Sequence, residues 1–204
     1  MLVAGLTGGI GSGKSALAEL LAGRGAEIVD ADEIGRAALD PGKPCWRSVI
    51  DHFGDAMLAP GGMEIDRKRL ADVVFSDPRK LAVLNAIVHP SIMAGIADTL
   101  DVLRGTDEIV VIDAALIVEF GLFESLDALI VVVADEDTRA ARLRSARAMT
   151  AEQISARIAA QQPESEVLKH ADIVVHNNGS REELESEADR VWEELIKRRD
   201  AKNS

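Results

Sequence analysis

Near its N-terminus the chain has the sequence Gly8-Gly9-Ile10-Gly11-Ser12-Gly13-Lys14-Ser15. This stretch matches the pattern G-x-x-x-x-G-K-S/T at every fixed position, and it lies between an apolar run at residues 2–6 and a helical pattern at residues 16–21. A glycine-rich turn between a strand and a helix directs several backbone N–H groups into one concavity that binds phosphate. Lys14 can reach the β- and γ-phosphates, and the Ser15 hydroxyl can ligate Mg²⁺. The stretch therefore predicts a binding site for a nucleoside triphosphate.

The composition is that of an acidic protein with ample material for a core. The 204 residues are 47% hydrophobic and carry a net charge of −12, which fits one globular domain with a lobe or lid and disfavours nucleic acid and anionic lipid as partners. Cys45 is the only cysteine, so no internal disulfide can form. No secretion signal and no apolar stretch approaching 18–20 residues is apparent, so we expect a cytoplasmic protein without a membrane span, as a monomer or small homo-oligomer.

Five short apolar runs predict the strands of a sheet, at residues 2–6, 28–29, 109–112, 128–133 and 173–175. They do not alternate apolar with polar residues, which indicates strands buried on both faces of a parallel sheet. Helical patterns occur at residues 14–24, 137–147, 151–161 and 181–199. The alternation of strands and helices predicts a doubly wound α/β fold with a five-stranded parallel sheet flanked by helices.

The interval from residue 32 to residue 104 interrupts this alternation. It contains helical patterns at residues 34–39, 46–53, 67–75, 79–88 and 92–103, a loop or turn at residues 54–62, and no convincing buried strand. We therefore expect a nucleotide-binding core at residues 1–31, 105–138 and 162–199, a helical substrate-binding lobe at 32–104, a lid at 139–161 and a flexible tail at 200–204.

Acidic side chains follow two of the predicted strands. Asp30 and Asp32 come after the second strand, at the edge of the sheet where ligands bind, and would point the same way if the strand continued. Asp32 suits two roles equally, a base that takes a proton from an attacking hydroxyl or the N-cap of a helix beginning at residue 33. Asp113 closes the third strand and is a candidate acid for Mg²⁺, directly or through water.

Five arginines and no lysine occur between residues 139 and 157, at Arg139, Arg142, Arg144, Arg147 and Arg157. Guanidinium groups suit phosphate charge, so the cluster favours a mobile phosphate-clamping lid over a solvated helix face paired with nearby acids.

Two further polar positions have ordinary structural interpretations. His89 precedes Pro90, which is expected to close a helix, and a structural histidine is favoured there over a catalytic one. Asn177 follows the fifth strand and suits either a turn or contact with a nucleobase edge.

Several separated segments together resemble the dephospho-coenzyme A kinase family, and the likeness spans nearly the whole chain. They are Gly5 to Ser15, Val29-Asp30-Ala31-Asp32, Asp66-Arg67 with Val74-Phe75, Leu84 to Pro90, Glu119, Arg142-Leu143, Arg157-Ile158 with Gln161, and Ala171-Asp172 with Asn177-Asn178. The phosphate loop is common to many nucleotide enzymes, whereas the Asp-Ala-Asp and His-Pro elements in this order are far more specific. The resemblance implies a P-loop kinase fold and transfer of the ATP γ-phosphoryl, with Mg²⁺, to the ribose 3′-hydroxyl of dephospho-coenzyme A, the last step of coenzyme A biosynthesis.

The resemblance also implies residue roles. Asp32 matches the general base, and Arg142 matches a lid arginine that faces the triphosphate, so with Lys14 they form the expected catalytic set. Expected ATP ligands are Gly9, Ile10, Gly11, Ser12, Gly13, Lys14, Ser15, Arg142 and Asn177, with Ser15 also on the metal. Expected substrate-binding residues are Thr7, Asp30, Asp32, Arg67, Asn85 and His89.

The chain departs from the family pattern in three places. Ala115-Leu116-Ile117-Val118 precedes Glu119 where Pro-Leu-Leu is usual, Ala16 replaces a frequent threonine, and Ala146 stands where a second lid arginine is usual, with Arg147 one residue later.

Three other classes of protein contain a similar phosphate loop. The core fold alone would equally suit a kinase of another small metabolite, such as a nucleoside or a sugar. A GTP-dependent switch would need an Asn-Lys-x-Asp string, which is absent from the sequence. A non-catalytic nucleotide-binding module would be expected to lack Asp32, Lys14 or the lid, whereas Asp32, Lys14 and an arginine-bearing lid segment are all present in the sequence.

Overall fold

A computed structural model of the chain describes residues 1–147, 150–159 and 161–203. The chain forms two compact units. The first consists of Met1–Asp30 together with the chain from Leu103 onward, and the second is Ala31–Val102. In chain order the helices are α1 (Lys14–Ala22), α2 (Ala31–Ala38), α3 (Pro44–Phe53), α4 (Arg67–Phe75), α5 (Pro78–Leu103), α6 (Glu136–Arg147), α7 (Ala151–Ala159), α8 (Glu164–Leu168) and α9 (Arg181–Lys202). Short 3₁₀ turns lie at Asp55–Met57 and Leu122–Ser125.

The first unit contains one five-stranded, wholly parallel sheet, which confirms the predicted fold class. Its strands are β1 (Leu2–Gly8), β2 (Glu27–Asp30), β3 (Ile109–Asp113), β4 (Ala128–Val133) and β5 (Ile173–His176), in the order β2-β3-β1-β4-β5. The order reverses direction at β1, so the loop after β1 lies at the switch point of the sheet, where ligands bind in open α/β folds. Asp30 and Asp113 are paired in register at the carboxyl ends of β2 and β3.

The core of this unit lies between one face of the sheet and helices α1 and α9. Alternate residues of each strand face these helices, for example Leu2 and Leu6 of β1, and they pack with Leu17 of α1 and Leu195 of α9, all of them fully buried. Burying an aliphatic side chain of this size contributes about 1.5–3 kcal/mol, so this face holds the sheet and its phosphate-loop helix together.

Helix α9 extends beyond the end that the sequence predicts. The expected flexible tail began at residue 200, but α9 continues to Lys202, whose ammonium lies 2.7 Å from both carboxylate oxygens of Asp127. Asp127 also accepts a hydrogen bond from the backbone N–H of Val3. A cation in the last turn also suits the helix dipole. The prediction of a tail from residue 200 is therefore wrong over its first three residues, which continue α9 and include an ion pair to a distant part of the chain.

The second unit has a small core of its own. Val49, Met57, Ile65, Leu70 and Val74 are buried together, between α3, the Asp55–Met57 turn and α4. Helix α4 begins after the N-cap Asp66, whose carboxylate accepts the N–H of Arg69 at 3.0 Å. A single antiparallel bridge joins Leu58 and Ile65.

Helix α5 corrects the prediction that Pro90 closes a helix. The expected helices at residues 79–88 and 92–103 are one continuous helix, Pro78–Leu103, with Pro90 inside it. An internal proline costs about 3 kcal/mol through a lost hydrogen bond and a clash. Packing on both sides of it offsets this cost. Leu84 and Ile87 pack against the second unit's core, and beyond the proline Gly95 lies so close to α2 that a Cβ there would be 2.7 Å from the Ile34 side chain.

The same helix is the one described segment long and apolar enough to cross a membrane, with a mean hydropathy of 1.4 over an 18-residue window. No such segment was predicted from the sequence. Length and composition alone are weak evidence for a span, since helices of soluble proteins meet the same criterion.

Candidate functional site

The phosphate loop connects β1 to α1 within the first unit. Gly13, the residue before α1, has φ of 95°, in the left-handed region, and a Cβ there would overlap the side-chain amide nitrogen of Asn177. Only glycine fits both conditions. Glycine also has no side chain with which to cap α1, so the first N–H groups of the helix are left for an anion, which the helix dipole attracts.

Lys14 and Asp113 form an ion pair beside this loop. The Lys14 ammonium bonds Oδ1 of Asp113, and both side chains are largely buried, with exposed fractions of 14% and 10%. Asp113 ends β3, and the in-register neighbour Asp30 ends β2, so two carboxylates lie at adjacent strand ends near the lysine. Asp113 was predicted as an acid for Mg²⁺. In the structure it anchors the phosphate-loop lysine, and its role toward a metal stays a prediction.

Arg142 and Asn177 hold the carbonyl of Ser12. The side-chain amide of Asn177 donates to the Ser12 oxygen at 2.7 Å, and Nη1 of Arg142 donates to the same oxygen at 3.3 Å. Arg142 also donates to the Asn177 backbone oxygen at 2.9 Å and to its Oδ1 at 3.2 Å. Asn177 is thus more than a turn residue, because it is 5% exposed and bonds directly to the loop. Contact of Asn177 with adenine stays a prediction.

Arg139 and Gln161 hold the next part of the loop, at Ile10. Nε of Arg139 donates to the Ile10 oxygen at 2.9 Å, and Oε1 of Gln161 accepts the Ile10 N–H at 2.9 Å and Nη2 of Arg139 at 3.4 Å. Arg139 is only 8% exposed, and a Cβ on Gly9 would be 2.7 Å from its guanidinium. Arg139 was predicted only as a member of the phosphate-clamping arginine cluster, and Gln161 only as a position shared with the family. The i, i+3 spacing places Arg139 and Arg142 on one helix face, but nothing local connects Gln161 to residue 10.

A cavity of about 450 Å³ lies beside the loop in the first unit. Its lining includes Thr7, Gly9, Glu119, Arg139 and Gln161. Partial burial raises the pKa of the Glu119 carboxyl, against the opposing effect of hydrogen bonds from the backbone of Glu119 and Gln162. Thr7, predicted to bind substrate, is buried, and its hydroxyl donates to the Ala115 oxygen at 3.4 Å.

Four predicted substrate residues lie in the second unit. Asp32 is the second residue of α2, which begins at Ala31 directly after β2. The strand therefore does not continue to Asp32, and the alternative of an N-cap for a helix starting at residue 33 is wrong, because Asp32 is already inside the first turn. Asn85 and His89 are four residues apart on α5 and so share one side of it.

Arg67, the fourth of these residues, is the first residue of α4 and is exposed over 56% of its side chain. Its guanidinium lies 3.8 Å from the Asp40 carboxylate and donates to the Arg36 oxygen at 3.5 Å. These contacts hold the guanidinium near the C-terminal end of α2.

The remaining arginines of the predicted lid differ in surroundings. Arg144 and Arg157 are exposed. The side chain of Arg147, which follows the position where the family pattern has a second lid arginine, lies outside the described part of the chain. A lid at residues 139–161 stays a prediction.

The oxygen ligands at this edge fit Mg²⁺. Among the described residues no group of three or more His, Cys, Asp and Glu side chains could hold a metal. Mg²⁺ with a nucleotide takes one or two protein oxygens and obtains the others from phosphates and water. The exposed Ser15 hydroxyl on α1 and the carboxylates of Asp30 and Asp113 supply oxygens of that kind.

Comparison with known proteins agrees with this arrangement. The dephospho-CoA kinase family model matches residues 2–183. A dephospho-CoA kinase of Thermobifida fusca (strain YX) is 44% identical over 97% of this chain and 98% of its own length. A solved structure of a Thermus thermophilus protein aligns with a TM-score of 0.80 at 33% identity, over 95% of this chain and 97% of the other. The structure of a Campylobacter jejuni dephospho-CoA kinase aligns with a TM-score of 0.69 at 25% identity, over 96% and 97%.

The family match spans the phosphate loop, the helical second unit and the Arg139–Gln161 segment alike. It therefore extends well beyond the motif that many nucleotide enzymes share, and this chain belongs to the dephospho-CoA kinase family.

Proposed function

We propose that this chain transfers the γ-phosphoryl group of ATP to the ribose 3′-hydroxyl of dephospho-coenzyme A, the step that completes coenzyme A biosynthesis. As a member of the dephospho-CoA kinase family it is an ATP-dependent kinase of dephospho-coenzyme A. The observation that carries the proposal is the loop between β1 and α1, whose glycine geometry, uncapped helix terminus and adjacent Lys14 suit a triphosphate.

Binding of the triphosphate is the first task of these residues. The N–H groups at the start of α1 would donate to phosphate oxygens, and the Lys14 ammonium would reach the β- and γ-phosphates. Asp113 keeps the ammonium at the end of β3, so the lysine is already oriented before it meets the nucleotide. Orientation of this kind lowers the entropic cost of transfer.

Charge stabilisation during transfer is the second task. Developing negative charge on the transferred group would be stabilised by Lys14 and by Arg142, whose guanidinium is held near the loop by Ser12 and Asn177. Ser15 would ligate Mg²⁺, with Asp113 or Asp30 in support through water. The metal, when bound, supplies positive charge to the β- and γ-phosphate oxygens.

Activation of the acceptor is the third task. Asp32, in the first turn of α2, would accept the proton of the ribose 3′-hydroxyl. Thr7, Asp30, Arg67, Asn85 and His89 are proposed to bind and orient dephospho-coenzyme A. Arg67, with its side chain more than half exposed, suits a phosphate group of the acceptor.

The test is an assay of ADP formation by the purified protein with Mg²⁺ and ATP, with and without dephospho-coenzyme A. The expected result is ADP release that depends on dephospho-coenzyme A, with a product phosphorylated at the ribose 3′-position. A panel with a nucleoside, a sugar and shikimate as acceptors serves as control. Equal turnover with one of these, or ADP release without any acceptor, would refute the proposal.

The acidic composition bears on where the enzyme acts and on its partners. We propose a cytoplasmic enzyme, as a monomer or small homo-oligomer, that acts without nucleic acid or a membrane. Its net charge of −12 supports this, because most of the surface would repel polyanions and anionic lipid.

A further inference from the structure

Two carbonyl groups of the phosphate loop have defined side-chain partners. The Ile10 oxygen accepts from Nε of Arg139 at 2.9 Å, and the Ser12 oxygen accepts from Asn177 at 2.7 Å. A peptide group is planar and trans, so its C=O and the following N–H point in opposite directions. Fixing the Ile10 and Ser12 oxygens toward these side chains therefore turns the N–H groups of Gly11 and Gly13 the other way.

Gln161 completes the arrangement at Ile10. Its Oε1 accepts the Ile10 N–H at 2.9 Å, so the peptide groups on both sides of the Ile10 Cα have side-chain partners. The same oxygen accepts Nη2 of Arg139 at 3.4 Å, which joins the two partners to each other. Rotation of either peptide group would break one of these bonds.

Burial and packing indicate that Arg139 is built into this position. It is 8% exposed, and Glu164, at the start of α8, lies 3.9 Å from its Nη1. Its guanidinium lies against Gly9, where any Cβ would come within 2.7 Å of it. A buried guanidinium needs hydrogen bonds to offset its desolvation, and those bonds go to Ile10, to Gln161 and toward Glu164.

From these contacts we propose that Arg139 and Gln161 are positioning residues that fix the direction of the Ile10 peptide groups, and through them the phosphate-binding N–H groups of the loop. Their role toward ATP in this proposal is exerted through the loop backbone, to which both side chains bond. Gln161 lies between α7 and α8, so it also joins the last residue of the predicted lid to the loop. The inference rests on the proposed binding of ATP at this loop.

The test compares Gln161→Met with Gln161→Glu. Methionine has a similar length but no oxygen acceptor, whereas glutamate keeps the acceptor for Ile10 and Arg139. We expect Gln161→Met to weaken binding of a fluorescent ATP analogue, and to raise KM for ATP, by about 10- to 100-fold, with KM for dephospho-coenzyme A within twofold of wild type. Gln161→Glu should stay within about threefold of wild type for ATP.

A matched control is Gln153→Met, because Gln153 is exposed and its Oε1 accepts only the nearby Thr150 N–H among the bonds described. It should bind the analogue like wild type. Arg139→Lys, which keeps the charge but loses the planar fork, should resemble Gln161→Met.

Several results would overturn the inference. They are normal ATP binding by Gln161→Met, equal impairment of the Met and Glu variants, equal rises in both KM values, or a Gln161→Met protein that fails to fold, which would make the residue structural. Failure of the proposed function is distinguishable, because it appears in the wild-type protein as ADP release that does not depend on dephospho-coenzyme A. Binding of the ATP analogue by the Gln161 variants tests the inference separately.

Discussion

Removing the side chain of Asn177 tests whether this buried amide stabilises the phosphate loop through its bond to the Ser12 oxygen. In Asn177→Ala two hydrogen bonds disappear, from Nδ2 to the Ser12 oxygen at 2.7 Å and from Nη2 of Arg142 to Oδ1 at 3.2 Å. The bond from Arg142 to the Asn177 backbone oxygen is kept. The neighbouring Asn178→Ala is a matched control, since Asn178 is exposed and its Oδ1 accepts the Asp135 N–H at 2.7 Å.

The expected cost follows from these partners. Each lost bond contributes about 1 kcal/mol net, and an acceptor left buried without any donor would cost more. The Ser12 oxygen still accepts from Nη1 of Arg142 at 3.3 Å, so it is not orphaned. We therefore expect Asn177→Ala to lower the free energy of unfolding by about 2 kcal/mol, or Tm by about 4–8 °C for a chain of this size. In Asn178→Ala water replaces the lost acceptor, and the cost should be about 0.5 kcal/mol or less.

The measurement is thermal and urea unfolding by circular dichroism for wild type and both variants, followed by KM for ATP and for GTP. A larger loss of stability in Asn178→Ala than in Asn177→Ala would refute the reasoning. The nucleotide ratio addresses a separate point. If Asn177 contacts the base, Asn177→Ala should change the preference for ATP over GTP, whereas a residue that only holds the loop should raise both KM values together.

Three further predictions concern the ion pair, the acceptor and the cavity. Lys14→Met should lower turnover by at least about 100-fold and lower the free energy of unfolding by about 1–3 kcal/mol, because the Asp113 carboxylate then stays buried without its ammonium partner. The double variant Lys14→Met/Asp113→Asn should recover stability but not turnover. Recovered turnover in the double variant would contradict the role of Lys14. Asp32→Asn should lower kcat by roughly 10²–10⁴-fold with ATP binding close to normal, and wild-type kinetics would reject Asp32 as the base. Folding raises the pKa of Glu119, so the folded state binds this proton more tightly and the free energy of unfolding falls as the pH rises above the ordinary value of 4.5. Urea titrations at pH 4.5–7 should show this decline in wild type and not in Glu119→Gln. Parallel plots of unfolding free energy against pH for the two proteins would contradict the prediction.

The strands and the phosphate loop were predictable because their signals are local. Residues 109–112 and 128–133 are continuous apolar runs, and the structure places β3 and β4 there, buried throughout. The loop pattern is contiguous as well. Each of these features depends on neighbouring residues, so a sequence window contains the whole cause.

The failures arose where distant packing decides the outcome. Pro90 lies inside α5 because residues on both sides of it pack against other helices, and α9 passes residue 200 because Lys202 meets Asp127, 75 positions away. The bond between Ile10 and Gln161 joins residues 151 positions apart. A local sequence window contains one residue of each such pair but not its distant partner.

For the arginines of α6, helical spacing alone predicts which side chains share a side of the helix. Successive residues of an α-helix are about 100° apart, so Arg139 and Arg142 lie about 60° apart, whereas Arg144 lies about 140° from Arg139. The structure follows this division, because Arg139 and Arg142 bond the loop oxygens and Arg144 is exposed. Arg139 and Arg142 thus face the phosphate loop and Arg144 faces solvent, while the direction of any arginine toward phosphate stays a prediction. The spacing predicts that Arg139 and Arg142 share one side of α6. That this side faces the phosphate loop depends on tertiary packing, which the spacing does not contain.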